Sequence, residues 1–123
     1  MERIVIFFEV LDPWVRLMNN RLSGLARLRW ANNIPELEQF LLNGPRPTLV
    51  VLTGGSGARD LVGVLGVIDN LVAAGYTDLV AADPTGLVND QLMAAGCRHR
   101  VDDRDRLAPF IEQYLNGHTT YVD

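Results

Sequence analysis

The chain contains no lysine; all eleven of its basic residues are arginine. Schiff-base chemistry, a Walker-type phosphate lysine and a lysine general base are excluded by that absence. Cys97 is the only cysteine, so there is neither an internal disulfide nor a cysteine-cluster zinc site, and His99 and His118 are too few to replace the missing thiols. Long apolar runs are also missing. Leu49 to Leu52 and Leu61 to Val72 are the most apolar stretches, but Thr53 and Asp69 interrupt them well before the roughly 18 to 20 residues needed to cross a bilayer. Positive charge is not in excess either. Fifteen acidic against eleven basic residues give a net charge of −4, so the domain as a whole does not attract phosphate backbones, and neither nucleic acid nor membrane is expected as a direct partner. The segment after Met1 runs straight into a strand-like stretch flanked by Glu2 and Glu9, without a small-residue cleavage site. It does not read as a signal peptide, and a cytoplasmic location is expected.

What is present is an ordinary globular mixture, 48% apolar and 21% charged over 123 residues. That is one domain, large enough for a core covered on two sides. Residues 1–117 are assigned to it and 118–123 to a tail. Ile4 to Val10 is a continuous run of β-branched and aromatic residues, the pattern of a strand buried on both faces of a parallel sheet. Asp12-Pro13 then supplies an N-cap and a first-turn proline, and Trp14, Leu17, Met18, Leu22 and Leu25 follow at helical spacing. Leu28 to Ala31 reads as a second strand. Asn33 with Glu36 resembles a capping box for a helix over Pro35 to Leu42, ended by Gly44-Pro45. Leu49 to Leu52 is a third strand, leading through Gly54-Gly55-Ser56-Gly57 into a helix from Asp60 to Ala74 that Gly75 stops. Leu79 to Ala82 is a fourth strand. Asp83-Pro84 repeats the N-cap and proline signature before a helix from Thr85 to Ala95. Arg98 to Val101 is a fifth strand, and Asp103 to Leu115 a closing helix.

Five strands alternating with five helices over short connections imply right-handed crossovers and a five-stranded parallel sheet with helices on both faces. Ligands of such α/β sheets sit beyond the carboxyl ends of the strands. The segments to examine are therefore Phe8 to Asp12, Thr53 to Ser56, Asp83 to Thr85, and Asp102-Asp103. The loop Gly54, Gly55, Ser56, Gly57 offers backbone amides to an anion, although turn geometry alone accounts for its glycines. Glu9, Asp12, Asp83 and Asp103 gather acids at the same edge; helix capping accounts for the last three without a metal. Arg98-His99-Arg100 runs into Asp102-Asp103-Arg104-Asp105-Arg106, a pattern of mutual charge pairing on an exposed edge. Cys97 reads as a buried, inert thiol. No nucleophile, base and orienting group can be assembled, so catalysis, metal and cofactor are not expected.

Five βα units in this length, with Pro47 opening the third strand and Ala95-Gly96-Cys97 before the fifth, resemble the receiver domain of bacterial two-component response regulators. The resemblance implies a flavodoxin-like three-layer sandwich. It also implies a phosphorylation site, whose positions here are altered. Phe8 and Glu9 stand where receivers carry two adjacent acids for magnesium. Thr53 occupies the place of the phosphoacceptor aspartate, Asp83 that of a Thr or Ser that bonds the phosphoryl group, and Asp102 or Asp103 that of the lysine. An aspartyl-phosphate site needs a carboxylate nucleophile, a cation held by clustered acids and an ammonium group. Acids at 83 and 103 would repel phosphate. The expected function is thus a pseudo-receiver working by protein contact without phosphorylation. The resemblance further implies a partner face over the fourth helix, fifth strand and fifth helix, comprising Met93, Arg98, Arg100, Arg104, Asp105 and Tyr114 and suited to a homodimer. The alternative left open is a small-ligand or anion-binding domain using Gly54 to Gly57.

Overall fold

In the computed structural model, which describes residues 3–10 and 12–120, five parallel strands form one sheet in the order β2-β1-β3-β4-β5. These are β1 (Ile4–Phe8), β2 (Arg27–Ala31), β3 (Leu49–Leu52), β4 (Leu79–Ala81) and β5 (His99–Arg100). The helices between them are α1 (Asp12–Leu22), α2 (Ile34–Asn43), α3 (Ala58–Ala73), α4 (Gly86–Ala95) and α5 (Leu107–Thr120), the last preceded by a 3-10 turn over Arg104–Arg106. The predicted flavodoxin-like architecture holds, with every predicted element present.

The alternation of side chains along the strands divides the core in two. Ile4, Ile6 and Phe8 of β1 join Val50 and Leu52 of β3 against Leu37 of α2, Val64 and Ile68 of α3, and Leu92 of α4. Val5 and Phe7 point the other way with Leu49 and Val51, onto Met18 and Leu22 of α1 and Leu107, Ile111 and Leu115 of α5. Each such side chain, taken fully out of water, contributes on the order of 1.5–3 kcal/mol. The exposed flank of β2 is stiffened by an aromatic stack. Phe7 and Trp30 are register partners on β1 and β2, with ring centroids 4.0 Å apart and planes within 11°.

Local signals explain most boundaries. Asn33 caps α2 by accepting the Glu36 N–H at 2.8 Å, and the Glu36 carboxylate returns to the N–H of Asn32, one residue before the position a capping box uses. The largest departures from expectation fall in the closing segment. The closing segment begins as a 3-10 turn, with the α-helix starting only at Leu107, and α5 continues through Gly117 to Thr120, past the expected boundary at 117. The cap expected of Asp12 concerns a side chain outside the described residues, as do residues 121–123 of the expected tail. Cys97 is buried, and that burial pushes its thiol up to about 12, as expected of an inert cysteine.

Two helix ends need glycine for different reasons. Gly75 closes α3 at φ +85° with open space where a Cβ would sit, whereas Gly96 closes α4 at φ +134° with the Val72 Cγ2 only 2.7 Å from that position. An alanine at 75 meets only the left-handed backbone penalty, about 1 kcal/mol. At 96 it meets that and a clash with α3, roughly 2–4 kcal/mol in sum. Urea denaturation of Gly75→Ala and Gly96→Ala should therefore rank the second as clearly less stable; equal losses would show that the α3–α4 contact is not tight.

Candidate functional site

The strand order reverses at β1, and the loops leaving β1 and β3 diverge there to open a crevice at the carboxyl edge. A cavity of about 270 Å³ occupies it, with Glu9, Thr53, Gly55, Asp83, Thr85 and Arg104 among its walls. The five positions that the resemblance reads as an altered phosphorylation site are thus only partly brought together. Phe8 is fully buried in the core beneath α2, α3 and α4. Glu9, Thr53 and Asp83 converge on the cavity and are each 4–6% exposed. Asp103 does not reach it.

Asp103 is exposed, and its carboxylate accepts the Asp105 N–H at 2.9 Å to cap the 3-10 turn. The expected acid is therefore not presented to the cavity. The next residue takes that place. Arg104 donates from Nη2 to the Glu9 Oε1 at 2.6 Å with only 10% of its side chain exposed, which corrects its assignment to the partner face. Its Nε and Nη1 are buried without a hydrogen-bond acceptor, and the guanidinium lies 4.9 Å from the centroid of Trp14. The electron-rich ring face substitutes for an acceptor. Absence of lysine thus does not leave the crevice without a cation: an arginine enters from the α5 side and is neutralised by Glu9. Breaking such a buried pair from one side costs about 3–5 kcal/mol.

The Thr53 hydroxyl donates to the Phe8 carbonyl at 2.9 Å and accepts the Gly55 N–H at 3.2 Å. Its proton is committed to a backbone oxygen. Gly54 donates its N–H to the Asp83 Oδ1 at 2.8 Å, and Ser56 donates both N–H and hydroxyl to the Asp60 Oδ2 at 2.9 Å. Those bonds from Ser56 hold the Asp60 carboxyl below its ordinary value. Every amide from Gly54 to Ser56 is thus donated to a side chain. At Gly55, φ is +71° and a Cβ would lie 2.5 Å from that of Asp60, so the turn admits only glycine. Gly57 is exposed, at the N-cap position of α3.

Asp83 is not the helix cap expected from Asp83-Pro84. The N-cap position of α4 belongs to Thr85. Asp83 instead divides its two oxygens between the Gly54 N–H and the Thr85 N–H, both at 2.8 Å. Asn89, which belongs to none of the sequence motifs, is fully buried on α4. It accepts the Asp83 N–H at 2.9 Å and donates to the Asp83 carbonyl at 2.8 Å and to the Asp102 Oδ1 at 2.9 Å. The signal that could have found it is its place on the buried stripe, since Asn89, Leu92 and Met93 are spaced at i, i+3 and i+4. Trp14 is legible in the sequence only as an apolar helix residue.

On the α4–β5–α5 side, Arg98 and Asp105 are exposed and Met93 and Tyr114 half-buried. Arg100 pairs with Asp90 and Asp102, in agreement with the mutual charge pairing predicted there. An open groove of about 670 Å³ runs past Arg100, Asp102, Asp103, Arg106, Phe110 and Gln113. His99 sits against Phe110 and Tyr114, with ring centroids 5.5 and 5.4 Å away. Tyr114 donates to the Asp78 Oδ1 at 2.9 Å, and burial with that bond pushes its phenol up to about 12. Among the described residues no three His, Cys, Asp or Glu side chains gather as a metal site, and no helix is long and apolar enough to cross a membrane.

No protein-family model matches the sequence, and no curated protein does. Solved structures do match. The chain is similar to the signal receiver domain of an HD-domain-containing protein from Pseudomonas fluorescens Pf-5, at 15% identity and a TM-score of 0.73, covering 98% of this chain and 99% of that one. A CheY-like response regulator receiver domain from Methanospirillum hungatei JF-1 covers the same shares at 8% identity and a TM-score of 0.71. The manganese-bound form of the response regulator Rcp1 matches at 13% identity and 0.68, over 98% of this chain and 95% of that one. The chain has the receiver fold. At these identities the likeness is one of architecture.

The aromatic cluster on the far face of this receiver fold has a titratable member. Burial, and then the charge of Arg98, lowers the His99 pKa below its ordinary 6.5, while Asp78 opposes them. The folded state therefore binds fewer protons than the unfolded one; this contribution to stability is present above about pH 6.5 and is lost as pH falls through the folded value. The urea midpoint should drop between about pH 7.5 and about pH 5.5, and drop less in His99→Phe. The same pH slope in both proteins would mean that His99 is as well solvated as in the open chain.

Proposed function

We propose that this domain is a pseudo-receiver, a signalling module that acts through protein contacts, independently of aspartyl phosphorylation, in a two-component-type pathway of the cytoplasm. The observation that carries the reading is the state of Thr53. It directly follows β3, where the resemblance expects a carboxylate nucleophile, and its hydroxyl proton is given to the Phe8 carbonyl. A hydroxyl whose proton goes to a backbone oxygen, and not to a base, is a weak nucleophile. Phe8 removes one of the paired acids, and Glu9 is tied to Arg104, so the cation that receivers hold with two acids has little to hold it. The crevice is not lacking in polar groups. Those of Glu9, Thr53 and Asp83 are bonded within the chain.

The same geometry argues for an interaction module over an anion-binding loop, because the amides of Gly54, Gly55 and Ser56 are already donated to Asp83, Thr53 and Asp60. We place the partner surface on α4, β5 and α5, around Met93, Arg98, Arg100, Asp105 and Tyr114, without Arg104. The groove there mixes both charge signs beside Phe110, a composition suited to a symmetric pair of chains. We assign the domain no catalytic role.

Incubation with acetyl phosphate and magnesium should leave the intact mass of the protein unchanged. Thr53→Asp should also stay unmodified, since restoring the nucleophile restores neither the second acid at Phe8 nor a free cation at the crevice. Acid-labile gain of one phosphoryl group by the native chain would overturn the proposal, and gain by Thr53→Asp alone would show that the nucleophile is the only part missing.

A further inference from the structure

The sheet has two edges, and the chain treats them differently. At one edge β5 is a strand of only two residues, and its Arg100 is bonded to Asp90 and Gly86 of α4 and to Asp102. At the other, β2 runs for five residues and pairs, among the described residues, with β1 alone. An edge strand of that length presents main-chain donors and acceptors that another chain can take up. The bonds already made show which residues present them. The Arg27 N–H goes to the Arg3 carbonyl, and the Ala31 carbonyl receives the Glu9 N–H, so Arg27, Arg29 and Ala31 turn their main-chain groups inward to β1. Alternation turns those of Leu28 and Trp30 outward. Among the described residues no backbone partner meets them there.

The two faces of this edge differ in chemistry. The side chains of Leu28 and Trp30 are half-buried against the core beneath α1 and α5, and the Trp30 indole N–H is held by the Asn19 Oδ1 at 3.0 Å. Arg27 and Arg29 lie on the opposite face with Ala31, which belongs to the other core. Arg27 is exposed. Arg29 is half-buried, with its guanidinium 5.4 Å from the centroid of Phe40 on α2 and its Nε without an acceptor. Among the described residues no carboxylate pairs with Arg29.

That pattern selects the occupant. Two copies joined edge to edge in antiparallel fashion, with Leu28 opposite Trp30, would set Arg29 against Arg29; with Leu28 opposite Leu28, Arg27 would face Arg29. Like charges directly opposite are unfavourable, whereas a strand with carboxylates at those positions meets the opposite charge. We propose that β2 is a docking edge for an extended acidic segment of a partner protein, which adds to the sheet as a further strand. Its alternate residues are apolar beside Leu28 and Trp30 and acidic beside Arg27 and Arg29. Main-chain bonds to Leu28 and Trp30 supply the attachment, and the arginines select the partner. The edge lies across the sheet from α4, β5 and α5, so this inference is independent of the surface proposed there.

A terminally blocked nine-residue peptide alternating valine and glutamate, added to the full chain, tests it. At saturation the amides of Leu28 and Trp30 should exchange with solvent roughly tenfold more slowly, the scale of a main-chain hydrogen bond. Those of Arg27 and Arg29, already directed at β1, should change little. The same peptide with lysine in place of glutamate should give no protection, and neither should the glutamate peptide N-methylated at every residue, which keeps its charge but loses its main-chain donors. In Arg29→Glu the glutamate peptide should lose its advantage over the lysine one; the two modified peptides test the native chain without relying on that variant. The proposal is overturned if the glutamate peptide gives no saturable protection of Leu28 and Trp30, or if the lysine or N-methylated peptide protects them equally. Protection that appears in concentrated protein alone would make a second copy the occupant and overturn it as well.

Discussion

Three strands end side by side at a crevice where Glu9, Thr53 and Asp83 are nearly buried, and the carboxylate of Asp83 is the group that allows them to end there. A buried carboxylate is tolerable only with its oxygens bonded, and a buried loop amide only with its proton donated. Asp83 meets both requirements at once by accepting from Gly54 and Thr85. Asn89 fixes the backbone of the same residue through its N–H and its carbonyl. The loops after β3 and β4 take their shape from this pair, and the loop after β5 joins them through Asp102. Thr53 follows the same logic on the β1 side, and Arg104 does so through one of its three nitrogens. Polar groups that in a ligand-binding crevice would face a visitor instead face one another.

This explains why the receiver architecture tolerates different residues at its strand ends. The sheet is held by apolar packing on both faces, with Ile4, Ile6 and Phe8 on one side and Val5 and Phe7 on the other, and none of it needs the strand-end residues to be acids. Phe8 even strengthens the core at a position where an acid would have cost desolvation. The edge of the sheet is free to change as long as its hydrogen bonds balance. An arginine from the 3-10 turn balances its charge against Glu9 and lays its guanidinium on Trp14, with Nε and Nη1 left without an acceptor.

The parts of the fold written in continuous apolar runs are legible in the amino-acid sequence. β3 spans Leu49 to Leu52 as predicted, because four consecutive buried aliphatics bounded by proline and glycine signals admit little else. β5 is legible only as a segment: a strand of two residues has no period to read. Asp83-Pro84 looks like a helix cap, since a cap and a loop-bridging carboxylate use the same residue types, and only burial separates them. Arg104 sits in a run of alternating charges that reads as a solvated edge, and nothing in its spacing reveals that the 3-10 turn rotates it inward. Asn89 is visible as a polar residue on an apolar stripe, but its partners lie on two other loops. Long-range pairing of polar groups is the part of a site that composition and periodicity do not encode.

The two buried acids of the crevice, Glu9 and Asp83, are taken up by the chain's own donors, and a divalent cation should find no free carboxylate there. Titration of isotope-labelled protein with Mn²⁺, read as paramagnetic line broadening of backbone amides, measures this directly. The amides of Glu9, Val10, Gly54 and Asp83 should keep their line widths at concentrations where exposed carboxylates show only weak, non-saturating effects. Saturable broadening centred on Glu9 and Asp83 would contradict it and would show that the receiver cation site survives beneath the altered residues.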